Sequence, residues 1–403
     1  MSQQRARLRR VWYGDAPVKR ALLLVPALLL VALATMAEPP AGVPAKAKPK
    51  PVRPRALPQS AEWAGQQSIA ADRKGRVFLL STARFEVFPL TSGGELGEPQ
   101  KLERLADSDR EMILLNATMS ADGRRWLAQD FASPRGLVLF VNGKEKVLPA
   151  TGWLPTGVGF AGDDPLFAAS AMQMGENLGP AERGEPPFLR VLSGSAWKTI
   201  STEPIEAQSP MELMTTVKDS REVLFARGAE SSFWVVQRHV YRLRRLSSAG
   251  RQLEEVRLGE GRVEYRDPSK AEQERLDKFG TEAAKSGHIL PSGFGKGQKA
   301  KRVLEAAATG PDGRLYLLVS AEANEGSTAP ALDRYDPTTG LLQRVDLQLE
   351  EPIRRSTMAA GRDGLLVVAE PANGGRWFLS WETLEAAEWR EVPNARVGVK
   401  FDD

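Results

Sequence analysis

The chain has 403 residues, of which 42% are hydrophobic, and no cysteine, which excludes disulfides, lipidated cysteines and thiolate chemistry. Residues 1–58 carry eleven basic and two acidic side chains, so the net charge of +4 for the whole chain becomes −5 for residues 59–403. A mildly acidic folded region argues against a nucleic-acid partner.

An uncharged apolar run over residues 21–37 follows a basic stretch at residues 1–20. Its length is near the lower limit for a membrane-spanning helix and slightly long for the core of a signal peptide. The positive-inside rule places the basic stretch in the cytoplasm and the rest of the chain across the membrane. The sequence therefore predicts a single-pass anchor in a bacterial inner membrane, with the bulk on the periplasmic or extracellular side. A cleaved signal, ending at Ala34 or Ala37, would instead give a secreted protein.

Residues 38–58 alternate proline, alanine and basic residues and contain seven prolines. Proline disfavours helix and sheet pairing, so we expect an extended linker. The basic side chains could also lie against anionic lipid head groups. A soluble tether is the simpler interpretation.

One phrase recurs through residues 59–403: an apolar run, an Asp-Gly-type turn and a second apolar run. The clear copies lie at residues 68–80, 117–128, 307–318 and 358–369, and looser copies lie at 159–168 and 216–226. The spacing of the turn aspartates, the looser copies included, is mostly that of β-propeller blades, about 40–50 residues. We therefore predict an all-β propeller with six blades, or alternatively seven.

Outer hairpins are predicted after several copies of the phrase. Asn142-Gly143 between apolar runs is a strong two-residue hairpin signal. A second hairpin is predicted over 332–345, and the last one over 376–392. The predicted blade is thus strand, turn, strand, loop, strand, turn, strand.

Two of the phrases resemble known propeller repeats. Ser120-Ala-Asp-Gly-Arg-Arg-Trp-Leu resembles the Ser-Pro-Asp-Gly-Lys motif of the WD40-like repeats in Tol-associated periplasmic propellers. Gly310-Pro-Asp-Gly-Arg-Leu-Tyr, with Tyr335-Asp-Pro-Thr-Thr-Gly340, is similar to a blade of the NHL or streptogramin-lyase type. These short motifs imply the fold and no particular activity.

An insertion separates the fourth and fifth copies, at about residues 263–300. Asp267-Pro268 is typical of an N-cap followed by proline at the first helical position, which predicts a helix there. A surface lid or partner-docking helix is one interpretation, and a solvated decoration is the other.

Histidine and metal chemistry find little support in the sequence. His239 falls in a predicted strand and His288 in a loop, and neither lies beside a second metal-ligating residue at a recognisable spacing. Gly-x-Ser-x-Gly is absent. The turn aspartates have a structural explanation, because Asp accepts backbone N–H bonds in tight turns.

A polar residue lies about six positions before several of the turns. If these residues share a register, their side chains would face the mouth of the central channel. The candidate binding residues are Gln66, Asn116, Glu212, Glu305 and Arg355. Contact with water at strand ends is the alternative explanation.

These observations predict a non-catalytic binding scaffold for an envelope protein, peptide or glycan, attached to the membrane through its N-terminal helix. No catalytic residue, metal site or cofactor is predicted. The alternative is a channel-site hydrolase or lyase of the lactonase or streptogramin-lyase kind, which would hold Ca²⁺ or Mg²⁺ on oxygen ligands.

Overall fold

The Asp-Gly phrases form tight turns between antiparallel strands. Asp72 Oδ1 accepts hydrogen bonds from the backbone N–H groups of Lys74 and Arg76, at 2.9 Å each. Asp122 and Asp312 accept from the N–H two residues further on, at 3.0 and 3.1 Å. The repeated aspartates therefore fix the turn, because each satisfies backbone donors that the turn leaves unpaired.

The computed structural model describes residues 50–57, 67–81, 84–105, 114–130, 135–173, 187–203, 221–259, 263–285, 299–324, 329–349, 356–369 and 375–398. The chain divides into two compact units, residues 1–48 and 49–403, and all of the described ranges belong to the second unit. The anchor predicted at 21–37 lies outside the described residues. Within the described ranges, none of the helices has the length and apolar character needed to span a bilayer.

Six sheets of four or five strands are arranged as the blades of a propeller. The first strand along the chain is β1 (Arg55–Ala56). Blade 1 consists of β2 (Gln67–Ala71), β3 (Val77–Ser81), β4 (Glu86–Leu90) and β5 (Gln100–Lys101). Blade 2 consists of β6 (Leu114–Met119), β7 (Arg125–Asp130), β8 (Leu137–Val141) and β9 (Lys144–Lys146). Blade 3 consists of β10 (Trp153–Ala161), β11 (Asp164–Gln173), β12 (Pro187–Ser193) and β13 (Ala196–Thr202). This part of the chain confirms the hairpin predicted at Asn142-Gly143.

The second half of the ring repeats the pattern. Blade 4 consists of β14 (Val223–Arg227), β15 (Phe233–Gln237), β16 (Arg242–Leu246) and β17 (Gln252–Arg257), and the insertion that follows it contributes β18 (Tyr265–Arg266) and β19 (Lys299–Ala300). Blade 5 consists of β20 (Leu304–Thr309), β21 (Leu315–Val319), β22 (Ala331–Asp336) and β23 (Leu341–Asp346). Blade 6 contains β24 (Ser356–Ala360), β25 (Gly364–Ala369) and β26 (Arg376–Ser380), and the C-terminal segment forms β27 (Arg390–Glu391) and β28 (Arg396–Gly398). The prediction of an all-β propeller with six blades is confirmed.

The innermost strands β2, β6, β10, β14, β20 and β24 contact one another in ring order, and β24 contacts β2. All six run in the same direction, so the channel has one end where these strands start and another where they turn. The hydrophobic core lies between neighbouring blades. Leu79 and Phe88 of blade 1, for example, share a buried cluster with Leu366 and Val368 of blade 6.

The N-terminal strand closes the ring. β1 pairs antiparallel with β26 and so supplies the fourth strand of blade 6. Val52 is hydrogen-bonded on both sides to the end of blade 5, and the side chains of Val52 and Leu57 are buried. The linker predicted over 38–58 therefore ends earlier than expected, because extended residues between prolines are free to pair with an open sheet edge.

The C-terminal segment adds strands to two blades. β27 is the fifth strand of blade 5 and β28 the fifth strand of blade 4. The hairpin predicted over 376–392 is therefore wrong in its second half. The prediction failed because blade 6 takes its outer strand from the other end of the chain.

Blade 4 also corrects the predicted turn positions. The looser copy at 216–226 places a turn at Asp219, which lies outside the described residues, and makes residues 223–226 the strand after that turn. These residues instead belong to β14, the innermost strand, and the turn follows it at residues 228–232. Gly228 N–H donates to the Ser232 carbonyl at 2.9 Å in that turn. The sequence signal was misleading because this turn lacks the Asp-Gly pair.

The insertion contains the strand pair β18–β19 and the helix α1 (Lys270–Lys285). The predicted helix is present, but its N-cap is Ser269 rather than Asp267. The Ser269 hydroxyl and Glu272 carboxylate cap each other's backbone N–H groups, at 3.4 and 2.9 Å. This reciprocal pairing is a capping box. A second, short helix, α2 (Trp381–Glu385), follows blade 6.

Blades 3 and 4 approach each other closely at Gly157 and Gly159 of β10. A Cβ on Gly157 would lie 2.5 Å from the Val223 carbonyl oxygen of β14, and backbone cannot move aside as a flexible side chain can. We expect Gly157→Ala to lower the free energy of unfolding by about 1–3 kcal/mol through overpacking. Gly398→Ala is the control, because its Cβ would meet its nearest neighbour at 3.7 Å. Equal denaturation midpoints for the two variants would contradict this account.

Candidate functional site at the start of the innermost strands

Three innermost strands contain a β-bulge near their start. The pairing register shifts around Asn116 in β6, Thr156 in β10 and Glu305 in β20. A bulge turns a side chain away from its regular direction and is common beside binding sites. Because the innermost strands run in parallel, these three residues lie towards the same end of the channel, which we call the start end.

Asn116 is one of the residues predicted from the sequence. Its side chain is exposed and its φ is +40°, a conformation that asparagine tolerates better than most residues. Asn116 Nδ2 donates to Gln129 Oε1 at 3.3 Å, and Gln129 Nε2 donates to the Pro155 carbonyl of the next blade at 2.9 Å. The side chain thus joins a polar chain that links blades 2 and 3.

Glu305 is the second predicted residue that falls in the described ranges, and it lies on the opposite side of the ring from Asn116. It is only 3% exposed, and its carboxylate is 3.4 Å from a guanidinium nitrogen of Arg302. Gln66, Glu212 and Arg355 lie outside the described residues. The convergence of all five on one opening therefore stays a prediction.

Glu222 occupies the position in blade 4 that the sequence assigned to Glu212. It directly precedes β14, and the misplaced turn at Asp219 moved the expected residue ten positions upstream. Its carboxylate is 3.5 Å from Arg238 Nε and 3.4 Å from Arg302 Nη2. The sequence signal that could have identified Glu222 was the turn with Gly228.

His239 binds the same carboxylate. It lies in the connection between β15 and β16 rather than in the predicted strand, and it is 5% exposed. Its Nε2 is 3.0 Å from Glu222 Oε2 and its Nδ1 is 2.9 Å from the Lys301 carbonyl oxygen. Both neighbours are acceptors, so each ring nitrogen is held in place by an oxygen. His288 is outside the described residues.

Arg302 connects the two acids, since it contacts both Glu222 and Glu305. Together Glu222, Arg238, His239, Arg302 and Glu305 form the blade 4–5 charge cluster. The cluster joins the starts of β14 and β20 with the connection between β15 and β16. Its acids are matched by cations at close range, which is how partly buried charges are normally stabilised.

Burial disfavours the ionised form of Glu222, but the hydrogen bond from His239 and the charges of Arg238 and Arg302 outweigh it and hold the pKa of Glu222 well below its usual value. A carboxylate with a lowered pKa stabilises the fold at pH values above its unfolded pKa, and this contribution is lost as the pH falls towards the folded pKa.

We therefore expect the free energy of unfolding of the native chain to fall on acidification from pH 5 to pH 3 more steeply than that of the Glu222→Gln variant. Chemical denaturation at a series of pH values measures both slopes. Glu272→Gln serves as a comparison variant outside the cluster. The pKa of Glu272 is also held low, in this case by the hydrogen bond from Arg266. Identical pH slopes for the native chain and Glu222→Gln would contradict the cluster's assigned charges.

In the described part of the chain, no three His, Cys, Asp or Glu side chains are grouped as a metal site would require. The cluster instead presents guanidinium groups whose bonds to carboxylates could be exchanged for bonds to a ligand. Such an arrangement can recognise acidic or hydroxyl groups.

No protein-family model matches the chain, and a comparison with curated proteins gives no match. Among solved structures, a catalytically inactive virginiamycin B lyase from Staphylococcus aureus with quinupristin is similar at 13% identity and a TM-score of 0.43, over 84% of this chain and 87% of that one. The calcium-binding protein regucalcin from Agrobacterium tumefaciens is similar at 14% identity and a TM-score of 0.39, over 82% and 94%. The β-propeller domain of Cps50 (Swd1) from Myceliophteria thermophila is similar at 12% identity and 0.39, over 81% and 99%.

The six four- or five-stranded sheets confirm, at the level of the fold, the resemblance to propeller repeats that the turn motifs carried. At these identities the similarity says nothing about activity, and the six blades rest on the strand pairing itself.

Proposed function

We propose that this protein is a non-catalytic binding platform whose start end engages a protein, peptide or glycan of the cell envelope. The observation that carries the proposal is the blade 4–5 charge cluster. Its titratable groups are bonded to one another, and they lie at the channel end where two predicted binding residues, Asn116 and Glu305, are also found.

The pairing argues against general acid–base catalysis by these groups. A general base needs a free lone pair within reach of the proton that it removes. Both His239 nitrogens are engaged, one by Glu222 and one by the Lys301 carbonyl, and the Glu222 carboxylate is paired with Arg238 and Arg302. A ligand carboxylate or hydroxyl, by contrast, can take the place of an internal acceptor beside Arg302 without any change in protonation.

The proposal includes the location that the sequence predicts. The apolar run at 21–37 behind a basic stretch supports a single-pass anchor in a bacterial inner membrane, with the propeller on the periplasmic side. The intact mass of the mature chain tests this directly. A chain that retains residues 1–37 supports the anchor, and one that begins after Ala34 or Ala37 makes the protein secreted.

Thermal unfolding of the full chain in mild detergent tests the non-catalytic assignment. A ligand that binds only the folded state raises the melting temperature by mass action. We expect no shift with Ca²⁺ or Mg²⁺ that EDTA reverses, and the same behaviour in Glu305→Gln. A reversible shift lost in Glu305→Gln would overturn the proposal and favour a channel-site hydrolase or lyase with a bound divalent cation.

A further inference from the structure

The other end of the channel, where the innermost strands turn, is crossed by one arginine side chain. Arg227 is the last residue of β14 in blade 4, and its Nη2 lies 3.5 Å from the carbonyl oxygen of Asp72 at the end of β2 in blade 1. In a ring of six, blades 1 and 4 face each other. The guanidinium group therefore spans the channel axis at this end.

The guanidinium group lacks good acceptors. Its Nη1 is buried and has no hydrogen-bond partner among the described residues. The contact from Nη2 is longer than the 2.7–3.2 Å typical of N–H···O bonds. A buried donor without a partner is costly, and more so when it carries a charge.

The nearest acid does not serve as a partner. Asp72 is 2% exposed, and its carboxylate already accepts from the Lys74 and Arg76 backbone and, at 2.7 Å, from Arg76 Nε. Arg73 adds a second positive charge. Burial and the charge of Arg73 lower the pKa of Arg227, and the charge of Asp72 only partly opposes them.

We propose that the turn end of the channel binds a small oxyanion, a phosphate or carboxylate group held by Arg227 with Arg73 beside it. A planar guanidinium donates two parallel N–H groups to such anions, and the η nitrogens of Arg227 are those left without good acceptors. The group could belong to free phosphate or to the carboxylate of a larger ligand. This site is separate from the blade 4–5 charge cluster and does not depend on the proposed function.

The test is thermal unfolding of the full chain in mild detergent with phosphate, sulfate, acetate or chloride, at matched ionic strength. We expect a saturable rise in melting temperature with phosphate and sulfate, or with acetate, and none with chloride. The first outcome assigns a phosphoryl-type ligand and the second a carboxylate. Arg227→Met should weaken the apparent affinity by at least about tenfold.

Two further variants make the result specific. Arg227→Lys keeps the charge but loses the two parallel donors, and it should also bind more weakly. Arg124→Met removes an exposed arginine from the turn of blade 2 on the same end of the molecule and should leave the shift unchanged. A shift that is equal in chloride, or that survives in Arg227→Met, overturns the proposal.

Discussion

Replacing Arg344 by methionine is expected to lower the free energy of unfolding by about 3–5 kcal/mol, because it leaves a buried carboxylate without its cation. Asp333 is fully buried, and Arg344 donates to both of its oxygens, at 2.6 and 2.8 Å. Tyr241 of blade 4 donates to the same carboxylate at 2.6 Å. Burial and the Asp333 charge raise the pKa of Tyr241 well above its usual value, so the hydroxyl stays a donor.

Chemical denaturation of Arg344→Met measures the effect, and the double variant Asp333→Leu with Arg344→Met is its control. Removing both charges avoids the unpaired carboxylate, so the double variant should lose less stability than the single one. If the two variants lose the same free energy of unfolding, the unpaired Asp333 carboxylate is not the cause of the loss in Arg344→Met.

Removing residues 1–58 is expected to lower the free energy of unfolding of the propeller by roughly 3–6 kcal/mol, which is the contribution expected from the burial of two aliphatic side chains. The truncation deletes Val52 and Leu57, which are 8% and 7% exposed, together with β1. It also opens the outer edge of β26, and a bare strand edge invites pairing with other chains. We therefore expect a lower unfolding midpoint and concentration-dependent association.

The matched control is the chain that starts at residue 50, which keeps β1 and loses the hydrophobic segment at 21–37. It should unfold at the same denaturant concentration as the full chain. Equal midpoints for the chains starting at 50 and at 59 would show that the N-terminal strand does not close the ring.

Much of the fold could be predicted because its signals are local. A turn aspartate and a glycine at positive φ, such as Asp72 and Gly75, act within a few residues of each other. The hairpin at Asn142-Gly143 is equally local, with both residues at positive φ. Repetition of such turns at blade spacing was enough to predict a six-bladed ring.

The ring closure could not be predicted in the same way. β1 and β26 are separated by most of the chain, and two-residue strands such as β1 and β27 carry no periodicity of their own. Pairing of this kind depends on which sheet edge is left open, which is a property of the assembled ring. The same reason explains the wrong outer strand predicted for blade 6.

The positions of two candidate residues in the fold could be predicted, while their role in binding stays a prediction. Asn116 and Glu305 were found from their distance to a recognisable turn, and both lie at bulges near the start end. Glu222 and His239 were missed because blade 4 turns without an Asp-Gly pair, and because a histidine between two acceptors is a tertiary arrangement. Register errors of this kind move every dependent assignment along the chain.

Site-specific photo-crosslinking in the native cell tests the central claim, that the start end of the channel is a binding surface for an envelope component. A photoreactive residue at Asn116, which is exposed at the start end, should give one discrete adduct. The same residue at Val147, which is 63% exposed just after the outer strand β9 of the same blade, should give none. An adduct at Val147 with none at Asn116 would contradict the account and place the binding surface on the outer rim.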